Sequence, residues 1–369
     1  MINVLEVKPY EFIVGGIEKY IAETIEIISQ ANDITIDLFT SSLSEENKYS
    51  KILKKSCRHF FIGSSYNPGE ENIIILYKQL NRILKANHYD VIHIHGFTLH
   101  SLAVCAFCAK IHGISKIIVH SHSSSGPMSL KHAVARMPLK LSLSFCATDF
   151  FACSETAGKW MFSKRSAKKL IIQKNGINLN DFKIDYSKRS EYRQKLGYKE
   201  CDKVIGHVGR FNDRKNQIFT IKIFDEIIKN DKRFKLLLIG DGELKELIES
   251  KVAEANLSDY VVFTGNVSNT HDYMQAMDLF VLPSLYEGLP LTGVEAQASG
   301  LPCIFSSSIT KETKITDNVE FIPLDNMNKW IEVIEQMSLL TKSNNSEQIR
   351  EAGYDIVSTS EKLKKTYME

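Results

Sequence analysis

No apolar run in this chain approaches the about 20 residues that a membrane-spanning helix needs. The opening, Met1-Ile2-Asn3-Val4-Leu5-Glu6-Val7, lacks the basic stretch and apolar block of a secretory signal and is expected to form the first strand of the fold. Cysteine is sparse: seven, odd in number and scattered, which speaks against a disulfide framework and fits a reducing cytoplasm. Cys105 and Cys108 have the spacing of a redox or zinc pair. They stand in an apolar segment, Leu99 to Ile111, with no second pair, so core packing is expected of them. No GxGxxG occurs, which disfavours a classical dinucleotide site, and no Asp-x-Asp stands at a strand end. Internal repeats and low-complexity segments are absent. The net charge of +2 is too close to neutral to suggest a nucleic-acid partner.

What is present is a steady alternation of short apolar runs and amphipathic segments. In the front half, strands are expected at Ile2–Val7, Ile34–Phe39, His59–Ile62, Val91–His95, Lys116–His120 and Asp149–Ala152, with helices at Ile17–Gln30, Glu71–Asn87, Leu99–Gly113 and Lys131–Phe145. In the back half, strands are expected at Val204–Val208, Phe234–Ile239, Tyr260–Thr264, Leu279–Leu282, Pro302–Phe305 and Val319–Ile322. Helices are expected there at Asn216–Lys229, Leu244–Glu254 and His271–Met277. Such alternation means βαβ units and parallel sheets. At 369 residues, two doubly wound α/β domains facing a central cleft are expected, 1–177 and 178–353, with a polar linker at Asn178–Lys203. Ligands of such sheets bind beyond the carboxyl ends of the strands. Residues 1–175 hold 21 Lys and Arg against 14 Asp and Glu, and the remainder 25 against 30. A basic front half suits an anionic partner or a membrane surface, and equally a solvated lysine-rich surface.

The most informative segment is Glu287-Gly288-Leu289-Pro290-Leu291-Thr292-Gly293-Val294-Glu295, after the apolar run Leu279–Pro283. Two carboxylates flank a strand-to-helix connection. Gly288 and Gly293 are expected to let the backbone approach a ligand, and a helix start favours anions. Carboxylates accept hydrogen bonds from several hydroxyls, so a nucleotide sugar fits; an acidic helix start fits as well. Gly15 and Gly16 lead into a helix and could turn N–H groups toward an anion, or simply make a tight turn. Gly209, Arg210 and Lys215 end one strand and open the next helix; a guanidinium beside an ammonium suits a diphosphate. Gly240, Asp241 and Gly242 end another strand, with Asp241 open to a capping role. His93 and His95, then His120 and His122, share strand faces at two strand ends. No acidic or cysteine partner stands at metal spacing nearby, so a hydrogen-bonding role is expected of them and no metal site is assigned.

Taken together, Gly15-Gly16-Ile17-Glu18, Asp90 through Gly96, His120-Ser121-His122, Phe151-Ala152-Cys153-Ser154, Asn175-Gly176-Ile177, His207 through Arg210 with Lys215, Gly240-Asp241-Gly242, Glu287 through Gln297, and Ile309 through Thr313 with Ile315-Thr316 resemble the family-4 retaining glycosyltransferases of GT-B architecture. Within that family it resembles the bacterial capsular and exopolysaccharide branch. The resemblance spans essentially the whole chain. It implies an N-terminal acceptor-binding domain, a C-terminal nucleotide-sugar-binding domain, and a last helix, about 354–369, packing back on the first domain.

The resemblance also implies roles. Gly16 gives an N–H to the donor diphosphate, with Gly15 beside it. Arg210 and Lys215 neutralise the phosphates. Glu295 holds the ribose hydroxyls, Glu287 lies near the donor sugar, and His122 faces that sugar. Val267 meets the base; Gly209, Gly240, Asp241, Gly288 and Leu289 complete the donor side, and His95 and Ser123 belong to the acceptor side. Leu291-Thr292-Gly293 departs from the more apolar segment common in the branch. The donor is expected to be UDP-linked, the acceptor a polyprenyl-diphosphate-linked oligosaccharide or other glycan, and no cofactor or metal is required. A sugar-nucleotide epimerase of the same fold and a non-catalytic partner subunit are the alternatives; the full set of Arg210, Lys215, Glu287 and Glu295 argues against both. The chain is expected in the cytoplasm, peripheral on the inner membrane face. Lys131 to Leu141 mixes basic and apolar residues in a helix that Pro138 should kink or split, which suits docking on anionic lipid or packing on the sheet.

Overall fold

Val4, Leu5, Glu6 and Val7 are consecutive and all fully buried, as required of a parallel strand covered on both faces. Leu5 and Val7 enter one core layer; Val4 enters the other, on the face it shares with Glu6. The computed structural model describes residues 1–13, 15–44, 48–64, 72–96, 98–122 and 135–369. Two all-parallel sheets organise them. The first runs β3-β2-β1-β4-β5-β6-β7, with β1 Ile2–Lys8, β2 Ile34–Thr40, β3 Phe60–Ile62, β4 Val91–Gly96, β5 Lys116–Ser121, β6 Asp149–Ala152 and β7 Leu170–Ile172. The second runs β10-β9-β8-β11-β12-β13, with β8 Lys203–Val208, β9 Phe234–Ile239, β10 Val261–Phe263, β11 Leu279–Leu282, β12 Cys303–Ser306 and β13 Val319–Ile322. Each order reverses once, between β1 and β4 and between β8 and β11. Ligands of doubly wound sheets bind at such reversals.

The chain divides into two compact units, Met1–Gly176 with Asp355–Glu369, and Ile177–Tyr354. The last helix, Ile356–Met368, packs against Gly16–Ile28 of the first unit. Gly176 makes room for it: a Cβ there would stand 2.6 Å from the Ile356 Cα. The polar stretch expected as a linker belongs to the second unit instead. It holds the helix Tyr186–Lys195, which is short of apolar residues because it is fastened by polar ones. Arg193, 2% exposed, donates to the carbonyls of Ala276, Lys199 and Asp202 and to Asp278.

Cys105 and Cys108 are buried in the first core, as expected. Pro138 stands in the first turn of a helix that begins at Met137, so the long helix expected over 131–145 does not run through it; residues 131–134 lie outside the described residues. Among the described residues no helix is long and apolar enough to cross a membrane.

Candidate active site

In the second unit the predicted residues gather at the carboxyl ends of β8, β9, β10 and β11. The short helix Asp213–Lys215 follows β8, with the Asn212 side chain accepting from the Lys215 N–H at 3.1 Å. Asn216 takes a left-handed conformation, φ 56°, and opens the helix Gln217–Asn230. This turn is stitched to the loop after β11. Asn216 donates to the Pro283 carbonyl at 3.1 Å and Leu285 N–H donates to the Arg214 carbonyl at 2.8 Å. Between them Lys215 Nζ meets Glu287 Oε1 at 2.7 Å, both side chains less than a tenth exposed. Ser284 donates to the same oxygen at 3.2 Å. Glu287 Oε2 takes no part in these contacts. The pair thus spans the reversal point between β8 and β11.

Arg210 does not share that carboxylate. It lies exposed and donates to Glu243 at 3.0 Å. Its backbone is held from beneath: Gln217 Nε2 donates to the Arg210 carbonyl at 3.0 Å and approaches His207 Nε2 at 3.2 Å. Burial, with Lys215 nearby, pushes His207 down to about 3, so it is a neutral acceptor here.

Several glycines serve the protein's own packing. A Cβ on Gly240, φ +140°, would lie 2.1 Å from the Gly209 carbonyl oxygen, and one on Gly242 would lie 2.4 Å from that of Phe211. One on Gly209 would press the Lys215 stem at 3.0 Å. A Cβ on Gly293 would press Phe305 at 3.1 Å and Thr313 at 3.2 Å, so this glycine also seats the helix Leu291–Ala298 on β12. Asp241 caps no helix; Leu244 holds that position, and Asp241 accepts from the Gly242 N–H at 2.7 Å. Glu295 is half-buried in the second turn of Leu291–Ala298. Val267 and Leu289 are partly buried against the core of this unit.

Sequence reading missed the work of Gln297. Fully buried, it donates to the carbonyls of Gly293 and Thr313 and accepts from the N–H groups of Ile315 and Thr316. It ties the helix carrying Glu295 to the turn after β12. A glutamine among apolar neighbours, followed by a polar turn, was the signal.

In the first unit Gly15 precedes and Gly16 begins the helix Gly16–Ile28, whose start has no side-chain cap. Beneath it, Lys8 and Glu18 form a buried ion pair at 3.0 Å, and a Cβ on Gly15 would strike the Glu18 carboxylate. The four histidines come together as a buried cluster. The registers Glu6↔His93 and His95↔His120 align β1, β4 and β5. The acidic partner absent from the local sequence is Glu6, brought by topology: its Oε2 is 2.8 Å from His95 Nε2. His95 Nδ1 is 2.8 Å from His122 Nε2. Tyr367 donates to Glu6 Oε1 at 2.5 Å and approaches His93 Nδ1 at 2.6 Å, and His93 Nε2 is 3.2 Å from His120 Nδ1.

Burial sets the charges of this cluster. It pushes His95 down to about 4 and His120 and His122 further below the usual imidazole range. Glu6 is held well below the usual carboxylate range: desolvation opposes this, but His93 and His95 outweigh it. Nitrogens of His93, His95 and His120 lie within 4.8 Å of one another, close enough to share a metal, although they are engaged with Glu6, Tyr367 and each other. Ser123 lies outside the described residues.

Both halves of the chain match family models: residues 14–181 match "Glycosyltransferase Family 4" and residues 188–355 match "Glycosyl transferases group 1". A putative glycosyltransferase, EpsF of Bacillus subtilis (strain 168), is 33% identical over 267 residues, covering 71% of this chain and 68% of that protein. A UDP-Gal:alpha-D-GlcNAc-diphosphoundecaprenol alpha-1,3-galactosyltransferase of Escherichia coli is 28% identical over 346 residues, covering 88% and 87%. HepE of Anabaena, solved in complex with UDP and glucose, superposes over 100% of both chains with a TM-score of 0.79 at 19% identity. That identity speaks for the fold alone. With both halves matched and a relative of one-third identity spanned over two thirds of its length, the chain belongs to glycosyltransferase family 4 and is a glycosyltransferase of the GT-B fold.

Proposed function

We propose that this enzyme moves a sugar, with retention of configuration, from a UDP-linked donor to a lipid-linked oligosaccharide of a capsular or exopolysaccharide. The observation that carries the reading is the Lys215–Glu287 contact at the reversal point between β8 and β11. An ammonium suited to phosphate and a carboxylate suited to sugar hydroxyls stand side by side there, as at the junction of a sugar and its phosphate. When the glycosidic bond to the diphosphate breaks, negative charge grows on the β-phosphate. Lys215 and Arg210 stabilise that charge, and the N–H groups opening Gly16–Ile28 add to it. Glu287, with Oε2 outside the ion pair, accepts from the sugar ring, and Glu295 accepts from the ribose. His122 faces the same sugar. Val267 meets the base, and Gly288 and Leu289 lie along the donor.

No carboxylate among the described residues is assigned as a nucleophile for the far face of the sugar, so attack from the leaving-group side fits better than a double displacement. The Escherichia coli relative, whose name gives a diphosphoundecaprenol acceptor, supports the lipid-linked substrate, and HepE, solved with UDP, supports the nucleotide. UDP release, measured with and without a polyprenyl-diphosphate-linked saccharide, tests the reading. Release that depends on acceptor, with an α-configured donor yielding an α-linked product, is expected. UDP and free sugar formed without acceptor would mean the epimerase-like reaction; no release with any donor would mean a non-catalytic partner.

A further inference from the structure

Glu6, His95 and His122 form a line of two hydrogen bonds, each 2.8 Å long, across three adjacent strand ends. We propose that Glu6 is a positioning residue that fixes the tautomer of His122 through His95, so that His122 turns the lone pair of Nδ1 toward a hydroxyl of the sugar substrate. The proposal rests on the placement of His122 beside the donor sugar given above.

The hydrogens can be counted. Glu6 accepts at both oxygens, from Tyr367 on one and His95 on the other, and has no hydrogen to give. His95 therefore carries its hydrogen on Nε2 and a lone pair on Nδ1. That lone pair needs a donor, and the atom facing it is His122 Nε2. A neutral imidazole has one N–H, so His122 Nδ1 bears only a lone pair. Burial keeps His95 and His122 neutral and makes this arrangement the stable one. Reversing the line would put a hydrogen on His95 Nδ1 and leave His95 Nε2 and the Glu6 carboxylate as two acceptors face to face.

The end of the line is unfilled. His122 is 7% exposed, and its Nδ1 has no hydrogen-bond partner among the described residues. Asn175, 4% exposed, lies within hydrogen-bonding reach of His122, but in this tautomer Nδ1 has no hydrogen to give and the Asn175 Oδ1 is left without a donor among the described residues. Two neighbouring acceptors without a donor are the complement of a ligand with hydroxyl hydrogens to give, and a poor match for a phosphate, which has none at neutral pH. His122 thus belongs to recognition of the sugar and not of the leaving group.

Long-range nitrogen–proton spectra of the full chain labelled with [15N]histidine, without ligand, read the tautomers directly. His95 and His122 are expected as Nε2–H forms. In Glu6→Gln the side-chain amide can donate to His95 Nε2, which lets the line run the other way; His122 should then become the Nδ1–H form. With UDP-glucose and UDP-galactose as donors, kcat/KM should fall about ten- to hundredfold, the size of one buried acceptor lost to a ligand. Adding His122→Ala to Glu6→Gln should cost little more. A wild-type His122 in the Nδ1–H form overturns the proposal without need of any variant. So does zinc bound stoichiometrically at the cluster, or a tautomer that survives Glu6→Gln. A tautomer that switches while donor kinetics stay unchanged overturns the contact with the sugar. The UDP-release assay on the wild type judges glycosyl transfer separately.

Discussion

Lys215 Nζ lies 2.7 Å from Glu287 Oε1, so the cation suited to the donor phosphate is already neutralised before any donor binds. Both side chains are mostly buried, and neither charge is tolerable alone. Lys215→Ala is expected to lower kcat by about two orders of magnitude and also to destabilise the chain, because Glu287 then keeps only the Ser284 hydroxyl and the more distant Arg214, 4.0 Å away. Lys215→Met with Glu287→Gln should regain most of the stability and none of the activity. Denaturant melts of the two variants, beside steady-state kinetics, separate these effects; equal stability of both would contradict the pairing.

Arg210 offers the contrast. It is exposed, and its partner Glu243 is exposed too, so the pair adds little to stability. Arg210→Ala should melt like the wild type yet lose about a hundredfold in kcat, the usual cost of removing a preorganised charge. Glu295→Ala should act mainly through donor affinity, since ribose contacts are alike in ground and transition states. A near-normal kcat for Arg210→Ala would remove it from the phosphate site.

Donor use is expected to be independent of divalent metal, because the chain supplies Arg210 and Lys215 for the phosphates and has no Asp-x-Asp at a strand end. Activity after exhaustive chelation should stay within about twofold of the untreated enzyme, well under the tenfold that 1.4 kcal/mol in the barrier would cause. Complete loss that manganese restores would refute this.

The buried histidines predict acid lability. His95, His120, His122 and His207 are neutral when folded and take up protons when unfolded, so the unfolded state binds more protons below about pH 6.5. Their contribution is present above that pH and is lost as pH falls toward the folded values, about 4 for His95 and about 3 for His207. Glu6, depressed in the fold, adds the same sign below its ordinary value of 4.5. Each group contributes a slope of about 1.4 kcal/mol per pH unit in its window. Unfolding free energies measured by denaturant from pH 7.5 to 4.5 should fall steadily below 6.5, and a flat profile would contradict burial of neutral imidazoles.

Membrane docking needs a different test from the one its sequence suggests. Arg136 stacks on Trp160 at 3.8 Å, and Lys140 donates to the Phe162 carbonyl, so both are engaged in the fold. What the helix Met137–Cys146 leaves exposed is an apolar stripe at fourfold spacing, Met137, Leu141 and Phe145. Lys164, Arg165, Lys168 and Lys169 are exposed just beyond it. Co-sedimentation with anionic vesicles, absent with neutral ones, is expected to be abolished by Leu141→Glu with Phe145→Glu. Equal binding to both vesicle types would remove the electrostatic part of the argument.

Most strands were legible because parallel strands read as short apolar runs. β7, Leu170–Ile172, was not: it has only three residues, two of them exposed, at a sheet edge. The helix Tyr186–Lys195 was taken for a linker because polar contacts, not an apolar face, hold it. The residues proposed for the donor stand out one by one in the sequence, most of them near strand ends or helix starts. Their pairing does not. Spacing could not say that Lys215 would meet Glu287 while Arg210 turned to Glu243, or that Glu6, 87 and 89 residues from His93 and His95, would lie beside them. Those facts follow from sheet order, which a linear pattern does not contain.

The closing helix, Ile356–Met368, belongs to the unit that the chain begins. During synthesis the ribosome delivers all of Ile177–Tyr354 before it delivers the segment that covers Ile21 and Ile25 and brings Tyr367 to Glu6. The first unit therefore waits, with an apolar face uncovered, until the second has been made. A nascent chain of residues 1–176 is not a domain but an unfinished one. A truncation that removes Tyr367 strikes the histidine cluster as directly as a substitution inside it.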